Sequence, residues 1–281
     1  MNPAMAGRSV FLYSTVDTFD IARGPARLAV DLCAASGASL GAMVLNLESS
    51  LEPSFDGRSD EELRADFAAR EATNAAQVQA LEQQTAKLGI VTAITTSIAH
   101  SHGLPANVTD RARLHDLAII GTDARGMMSE VVIAEHLLFE SGRPVLVVPP
   151  EVVAPCPPRK VAVAWDNTRA AARALGDALP FLMAADETLL LTISGDKDIS
   201  SSIPMEETLA ILLRKGLNIR HESRAIGDLS IGRAIQGAAK DLGADMLVMG
   251  GYGHSRLRQF LLGGATREVL RNPALPILIT H

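Results

Sequence analysis

The sequence predicts an α/β fold: two tandem open-sheet domains, each a five-stranded parallel sheet of order 3-2-1-4-5 with helices on both faces. Three observations predict it. Short aliphatic runs alternate with helical patterns along the chain. That alternation occurs twice, as β-α-β-α-β-α-β-α-β in each half. Local stretches of the two halves also echo each other, on either side of a proline-rich segment.

In the first half the strand-like runs are residues 10–13, 40–47, 91–97, 117–120 and 145–148. In the second they are 161–165, 188–193, 217–223, 246–249 and 277–280. Aliphatic strands joined by helices pack into a parallel sheet covered on both faces. Ser59 with Glu62 forms a capping box, and Leu63, Phe67, Val78, Leu81 and Leu88 follow on one helix face until Gly89. Ile231, Ile235, Ala238 and Leu242 share a face of another helix, which Gly243 closes. His115-Asp116-Leu117-Ala118-Ile119-Ile120-Gly121 parallels Ala244-Asp245-Met246-Leu247-Val248-Met249-Gly250. Residues 142–147 parallel 274–279 in the same way. Pro149, Pro150, Pro155, Pro157 and Pro158 read as a stiff linker, which divides the chain into domains 1–150 and 159–281.

Composition bounds the function. Apolar residues make up 47% and aromatics 4%, so aliphatic side chains must fill the cores. A formal net charge of −6 argues against a protein that grips nucleic acid or an anionic membrane. No run approaches the roughly 18 apolar residues of a membrane span. Residues 1–9 carry one Arg and no apolar run, so they do not read as a signal peptide and the cytoplasm is expected. Cys33 and Cys156 are too few for a disulfide framework, and Cys33 reads as a small core hydrophobe.

The chemistry concentrates in residues 250–267, which leave the carboxyl end of a predicted strand and run into a helix. Ligands of open α/β sheets bind at that edge, where the strand order reverses. Glycines admit close approach of phosphate to backbone N–H groups, and a helix N-terminus adds donors and a favourable dipole. No Gly-Lys-Ser/Thr is present, and Asp166-Asn167-Thr168 follows the first strand of this half in place of glycines. A Walker loop and a dinucleotide fingerprint are both excluded. On spacing alone, the alternative is that residues 250–253 are only a turn and Gly263-Gly264 the start of a helix.

Gly250, Gly253 and Gly263 have the spacing Gly-x2-Gly-x9-Gly, which resembles the ATP-binding signature of the universal stress protein family. The similarity extends over the chain as two such domains, and includes Val161-Ala162-Val163-Ala164-Trp165-Asp166 at the start of the second. The resemblance implies the sheet order given above. It implies that Asp166, at the end of a strand with Ala164 and Trp165, contacts the adenosine, that Ile193 lines the adenine pocket, and that Met249 and Gly250 flank the ribose. Gly253, Gly263, Gly264, Ala265 and Thr266 would cradle phosphates. The sequence departs from the family at Gly264, which stands where Ser or Thr is usual; Thr266 offers another hydroxyl. His254 and Arg256 lie between the glycines, where an Arg either pairs with phosphate or is solvated. Asp166 reads also as a cap for the helix that begins near Thr168.

The first half lacks this equipment. Thr122, Asp123 and Ala124 follow Gly121, and the segment from Asp116 to Pro144 is shorter than that from Asp245 to Pro276. Its nucleotide site reads as degenerate. His100 and His102, with His115 and Asp116, lack a known metal-ligand spacing, and read as solvated histidines at the sheet's carboxyl edge. Ser14, Asp17 and His100 do not make a hydrolase triad without a nucleophile elbow.

The expected function is a stress-response protein that binds ATP, alone or with Mg²⁺, through its C-terminal domain and acts as a sensor or regulator. No catalytic or metal-binding residue is assigned. Expected partners are an adenine nucleotide, a second copy or the other half of the same chain, and a regulatory protein, with neither nucleic acid nor membrane. The alternatives are a slow ATPase, for which a Lys-Ser/Thr pair and a magnesium carboxylate are missing from the loop, and a ligand-free scaffold.

Overall fold

The computed structural model describes residues 8–47, 59–96, 103–125, 128–195, 199, 201–251 and 264–281. Its first half runs β1 (Ser9–Thr15), α1 (Gly24–Ser36), β2 (Ser39–Leu45), α2 (Asp60–Lys87), β3 (Thr92–Thr95), α3 (Leu104–Ala112), β4 (Leu117–Ile120), α4 (Glu130–Glu140) and β5 (Val145–Val147). The second runs β6 (Lys160–Ala164), α5 (Arg169–Asp177), α6 (Leu179–Leu182), β7 (Glu187–Ser194), α7 (Met205–Arg214), β8 (Ile219–Ala225), α8 (Ile231–Asp241), β9 (Met246–Gly250), α9 (Gly264–Arg271) and β10 (Ile277–Thr280).

The expected α/β class is observed, with one difference in organisation. The two open sheets are not separate. Among the described residues they form one ten-stranded sheet of order β3-β2-β1-β4-β5-β10-β9-β6-β7-β8. Pairing within each half is parallel, whereas β5 and β10 pair antiparallel, with Ile277 opposite Val147 and Ile279 opposite Val145. Each half leaves its fifth strand with an unpaired edge, and the antiparallel pair satisfies both edges at once.

Strand alternation sorts the core into two layers. Val10, Leu12, Ile119, Val161, Val163 and Val248 face one side with residues of α1, α5, α6 and α7. Phe11, Tyr13, Ile120, Ala162, Leu247 and Met249 face the other with residues of α3, α4, α8 and α9. Each layer continues across the β5–β10 seam, because Leu146 and Leu278 belong to the first and Val147 and Ile277 to the second.

Local signals behave as their chemistry requires, with some corrections. Ser59 Oγ accepts from Glu62 N while Glu62 accepts from Ser59 N at 2.7 Å, closing the capping box. Leu81 is fully buried, but Leu63 and Leu88 are exposed, so only part of the expected α2 face meets the sheet. Leu217, expected in a strand, instead closes α7: its N–H donates to Leu212 O behind Gly216, whose φ is 87°. The proline-rich segment is docked, not free-standing: Gly24 N donates to Val152 O at 2.8 Å, and Cys156 packs on the first core layer. Cys33 is buried there as expected, and burial pushes its thiol up to about 12. Among the described residues no helix is long and apolar enough to cross a membrane.

Candidate functional site

In the second half β6 pairs with both β7 and β9, so the helices leaving β6 and β9 must depart to opposite faces. They do: α5 packs on one core layer and α9 on the other. A crevice at the carboxyl ends of β6 and β9 follows from that divergence.

The β6 side is built by Ala164, Trp165 and Asp166, all half-buried. Trp165 N donates to Leu191 O at 2.8 Å, extending the sheet pairing past the strand. Asp166 Oδ1 accepts from Thr168 N at 3.1 Å and from its hydroxyl at 2.6 Å. Thr168 Oγ1 in turn accepts from Ala171 N at 3.2 Å and caps α5. The cap is therefore Thr168, and Asp166 orients it. Asn167 between them adopts φ 58°, a left-handed value that Asn tolerates.

On the β9 side the glycine requirement is steric. A Cβ on Gly250 would lie 2.5 Å from the Ala170 carbonyl carbon and 2.7 Å from Ala171 N, so the first turn of α5 can rest against the end of β9 only if residue 250 is Gly. Met249 and Ile193, each one residue before the end of its strand, are buried in the layer shared with α8 and α9. Gly251 N donates to Thr280 O at 2.7 Å, tying the start of the loop to β10.

Gly264 opens α9, is exposed, and among the described residues has nothing within 4 Å of the place its Cβ would take. Ala265 is half-buried, and Thr266 is buried at 2% exposure. The first turn of α9 holds no acidic residue. Gly253, His254, Arg256 and Gly263, together with His100 and His102, lie outside the described residues.

Sequence reasoning missed the residues that fix α9. Glu268 accepts from Ser230 Oγ at 2.6 Å and from Arg233 Nε at 3.0 Å, which ties α9 to α8. A Cβ on Gly232 would lie 2.6 Å from Glu268 Oε2 and 3.2 Å from Ala265 O, so this glycine permits the close helix approach. No sequence pattern marks these groups as neighbours, since 38 positions separate Ser230 from Glu268.

Other candidates have structural roles. His115 lies at the amino edge of the sheet, not the carboxyl edge expected: Asp116 N donates to Ser9 O where β1 begins, and His115 Nδ1 is 2.9 Å from Arg111 O. Its ring packs on Phe11 and takes the space left by the absent Cβ of Gly41. Asp116 accepts from Ser9 N at 2.8 Å, and its counterpart Asp245 accepts from Lys160 N at 2.9 Å. Ser14 Oγ lies 3.1 Å from Thr18 Oγ1, and Asp17 is paired with Arg70. Neither is available to a triad.

At the equivalent edge of the first half, Glu130 begins α4 as Gly264 begins α9, and it is 3% exposed. Its Oε1 accepts from Thr18 Oγ1 at 2.6 Å and its Oε2 from Asp123 N at 2.9 Å. A Cβ on Gly121 would collide with the same carboxyl group. Burial pushes Glu130 above the usual carboxylate range, against the two hydrogen bonds it accepts. An internal-repeat alignment that placed Glu130 against Gly264 would have pointed to it.

Comparison with known proteins agrees with this architecture. Residues 158–281 match the sequence profile described as Universal stress protein family. A universal stress protein of Synechocystis sp. is 37% identical over 54 residues, a match spanning 18% of this chain and 19% of that protein. A solved universal stress protein from Archaeoglobus fulgidus superposes with a TM-score of 0.68 at 14% identity, covering 96% of this chain and 95% of its own. A protein of unknown function from Pseudomonas aeruginosa gives a TM-score of 0.58 at 15% identity, with 99% and 94% covered. At those identities the two structures speak to fold alone. Residues 158–281 thus carry a universal stress protein family domain, and the first half of the chain repeats the same sheet order.

Proposed function

We propose that the C-terminal half binds ATP, alone or with Mg²⁺, at the crevice between β6 and β9, and that the bound state regulates a protein partner in the cytoplasm. Membership of the family implies a stress-response role; the ligand and the regulatory use are this reading's own. The observation that carries it is the start of α9 at the carboxyl edge of the sheet, where Gly264 is exposed and the first turn holds no acidic residue. Such a terminus attracts phosphate through unpaired N–H groups and the helix dipole. Support comes from Asp166 at the facing strand end and from the glycine spacing of residues 250–263. In this reading Asp166, Ile193, Met249 and Gly250 hold the nucleoside, and Gly253, Gly263, Gly264, Ala265 and Thr266 hold the phosphates.

The test is calorimetric titration of the full chain with ATP, beside mass spectrometry of nucleotide carried through purification. The expected result is one ATP per chain, with affinity reduced about tenfold or more by Gly263→Val, or roughly 1.4 kcal/mol. Undiminished affinity in that variant, or no binding by the unaltered chain, overturns the reading.

A further inference from the structure

The first half has the same diverging helices, α1 and α4 on opposite core layers, and so the same crevice between β1 and β4. That crevice is filled from within. Glu130 lies in the first turn of an eleven-residue helix, where a negative group or a polar oxygen is favoured. Its two oxygens take one donor from each bank: the Thr18 hydroxyl from the loop after β1, and Asp123 N from the loop after β4. Thr18 is itself held by Thr15 N, which donates to its hydroxyl at 3.1 Å. Beside this group the Tyr13 hydroxyl is fully buried and has no hydrogen-bond partner among the described residues, and it is near enough for Glu130 to act on it electrostatically. Among the described residues, a buried hydroxyl without a partner thus lies beside a carboxyl group locked between two loops.

We propose that the N-terminal half is a self-occupied oxyanion site, in which the carboxyl group of Glu130 takes the helix-start position that a ligand's phosphate takes in the C-terminal half. The comparison with phosphate rests on the function proposed above; the occupancy of the first crevice does not. The consequence is that one half of the chain is reserved for ligand while the other is permanently closed by its own side chain. The group that would fit the vacated position is a small oxyanion, such as a carboxylate or inorganic phosphate.

Chemical rescue tests this in the full chain. Glu130→Gly empties the position and reproduces the residue at the start of α9, Glu130→Ser is a second truncation that keeps a polar group, and Glu130→Gln preserves shape. Thermal midpoints are recorded against sodium formate and inorganic phosphate, with sodium chloride at matched ionic strength. The expected result is that formate or phosphate raises the midpoint of Glu130→Gly or Glu130→Ser by roughly 2–4 °C at tenfold excess over its dissociation constant. The unaltered chain and Glu130→Gln should show no comparable rise. Equal responses in truncated and unaltered chains overturn the proposal, as does a rise of the same size in Glu130→Gln. Should Glu130→Gly not fold, Glu130→Ser decides alone, and should neither fold even in formate or phosphate the side chain is structural and the proposal is lost. Oxyanion binding to the C-terminal half affects every variant alike, so failure of the ATP reading leaves this comparison intact.

Discussion

Leu278 lies opposite Leu146 at the centre of the antiparallel pair that joins the two halves, and both are buried in one core layer. Either side chain truncated to Ala leaves a cavity at the seam, where backbone on both sides is already committed to pairing. Leu278→Ala is expected to cost about 2–5 kcal/mol, measured by urea unfolding. The same transition should report both halves, since each core layer crosses the seam; two separated transitions in the unaltered chain would show the halves to be energetically independent.

The seam also predicts the outcome of cutting the linker. Val153 is exposed, while Gly24 N holds Val152 and Cys156 packs on the core. A protease site placed at Val153 should yield two fragments that co-elute on size exclusion, because the β5–β10 pair and the α4–α9 contact remain. Fragments that separate without denaturant would mean that the linker, not the sheet, holds the halves together.

Two glycines of the candidate site should respond in opposite ways. Gly250→Ala drives a Cβ into the backbone of α5 and is expected to cost about 1–3 kcal/mol, seen as a lowered unfolding midpoint. Gly264→Ser meets no obstacle among the described residues and adds a hydroxyl at the start of α9. It should leave stability within about 0.5 kcal/mol and tighten ATP by up to roughly tenfold. Weaker ATP binding by a folded Gly264→Ser would place the glycine itself in the contact.

Glu130 gives the pH dependence a definite sign. Burial raises its folded-state value above the usual 4.5; hydrogen bonds from Thr18 and Asp123 N oppose this, and the charges of Asp123 and Arg125 act in opposite senses. The folded chain thus keeps a proton that the unfolded chain has lost, so this group's contribution declines as pH rises from about the ordinary value through the folded one. Glu130→Gln has no such titration, and its amide can still accept from Asp123 N and donate to Thr18. The stability of Glu130→Gln relative to the unaltered chain should therefore increase with pH across that window, read from urea midpoints. A difference that stays flat, or falls, would mean that Glu130 is not shifted upward.

Much of the secondary structure was legible in the sequence because local rules decide it. Val161 and Val163 must alternate with Ala162 across a pleated strand, and Ser59 must face Glu62 across the first turn of a helix. Gly250 was legible only through its place in the glycine spacing; that its glycine requirement comes from the backbone of Ala170 and Ala171 emerged from the packing of α5. Even at the candidate site, the contribution of Asp166 through Thr168 is a matter of near neighbours.

What only the tertiary structure decided is which edges and which loops meet. The pairing of Leu146 with Leu278 joins residues that belong to different halves, and nothing in either strand marks an edge as antiparallel. Glu130 meets Thr18 across 112 positions. The sequence by itself determined that the chain would form two β-α repeats with glycines at one strand end, because propensity, capping and hydrophobic period act over a few residues. That Glu130 bridges the loops after β1 and β4 depends on loop length and on the approach of distant backbone, and those are fixed only when both layers of helices have packed on the sheet.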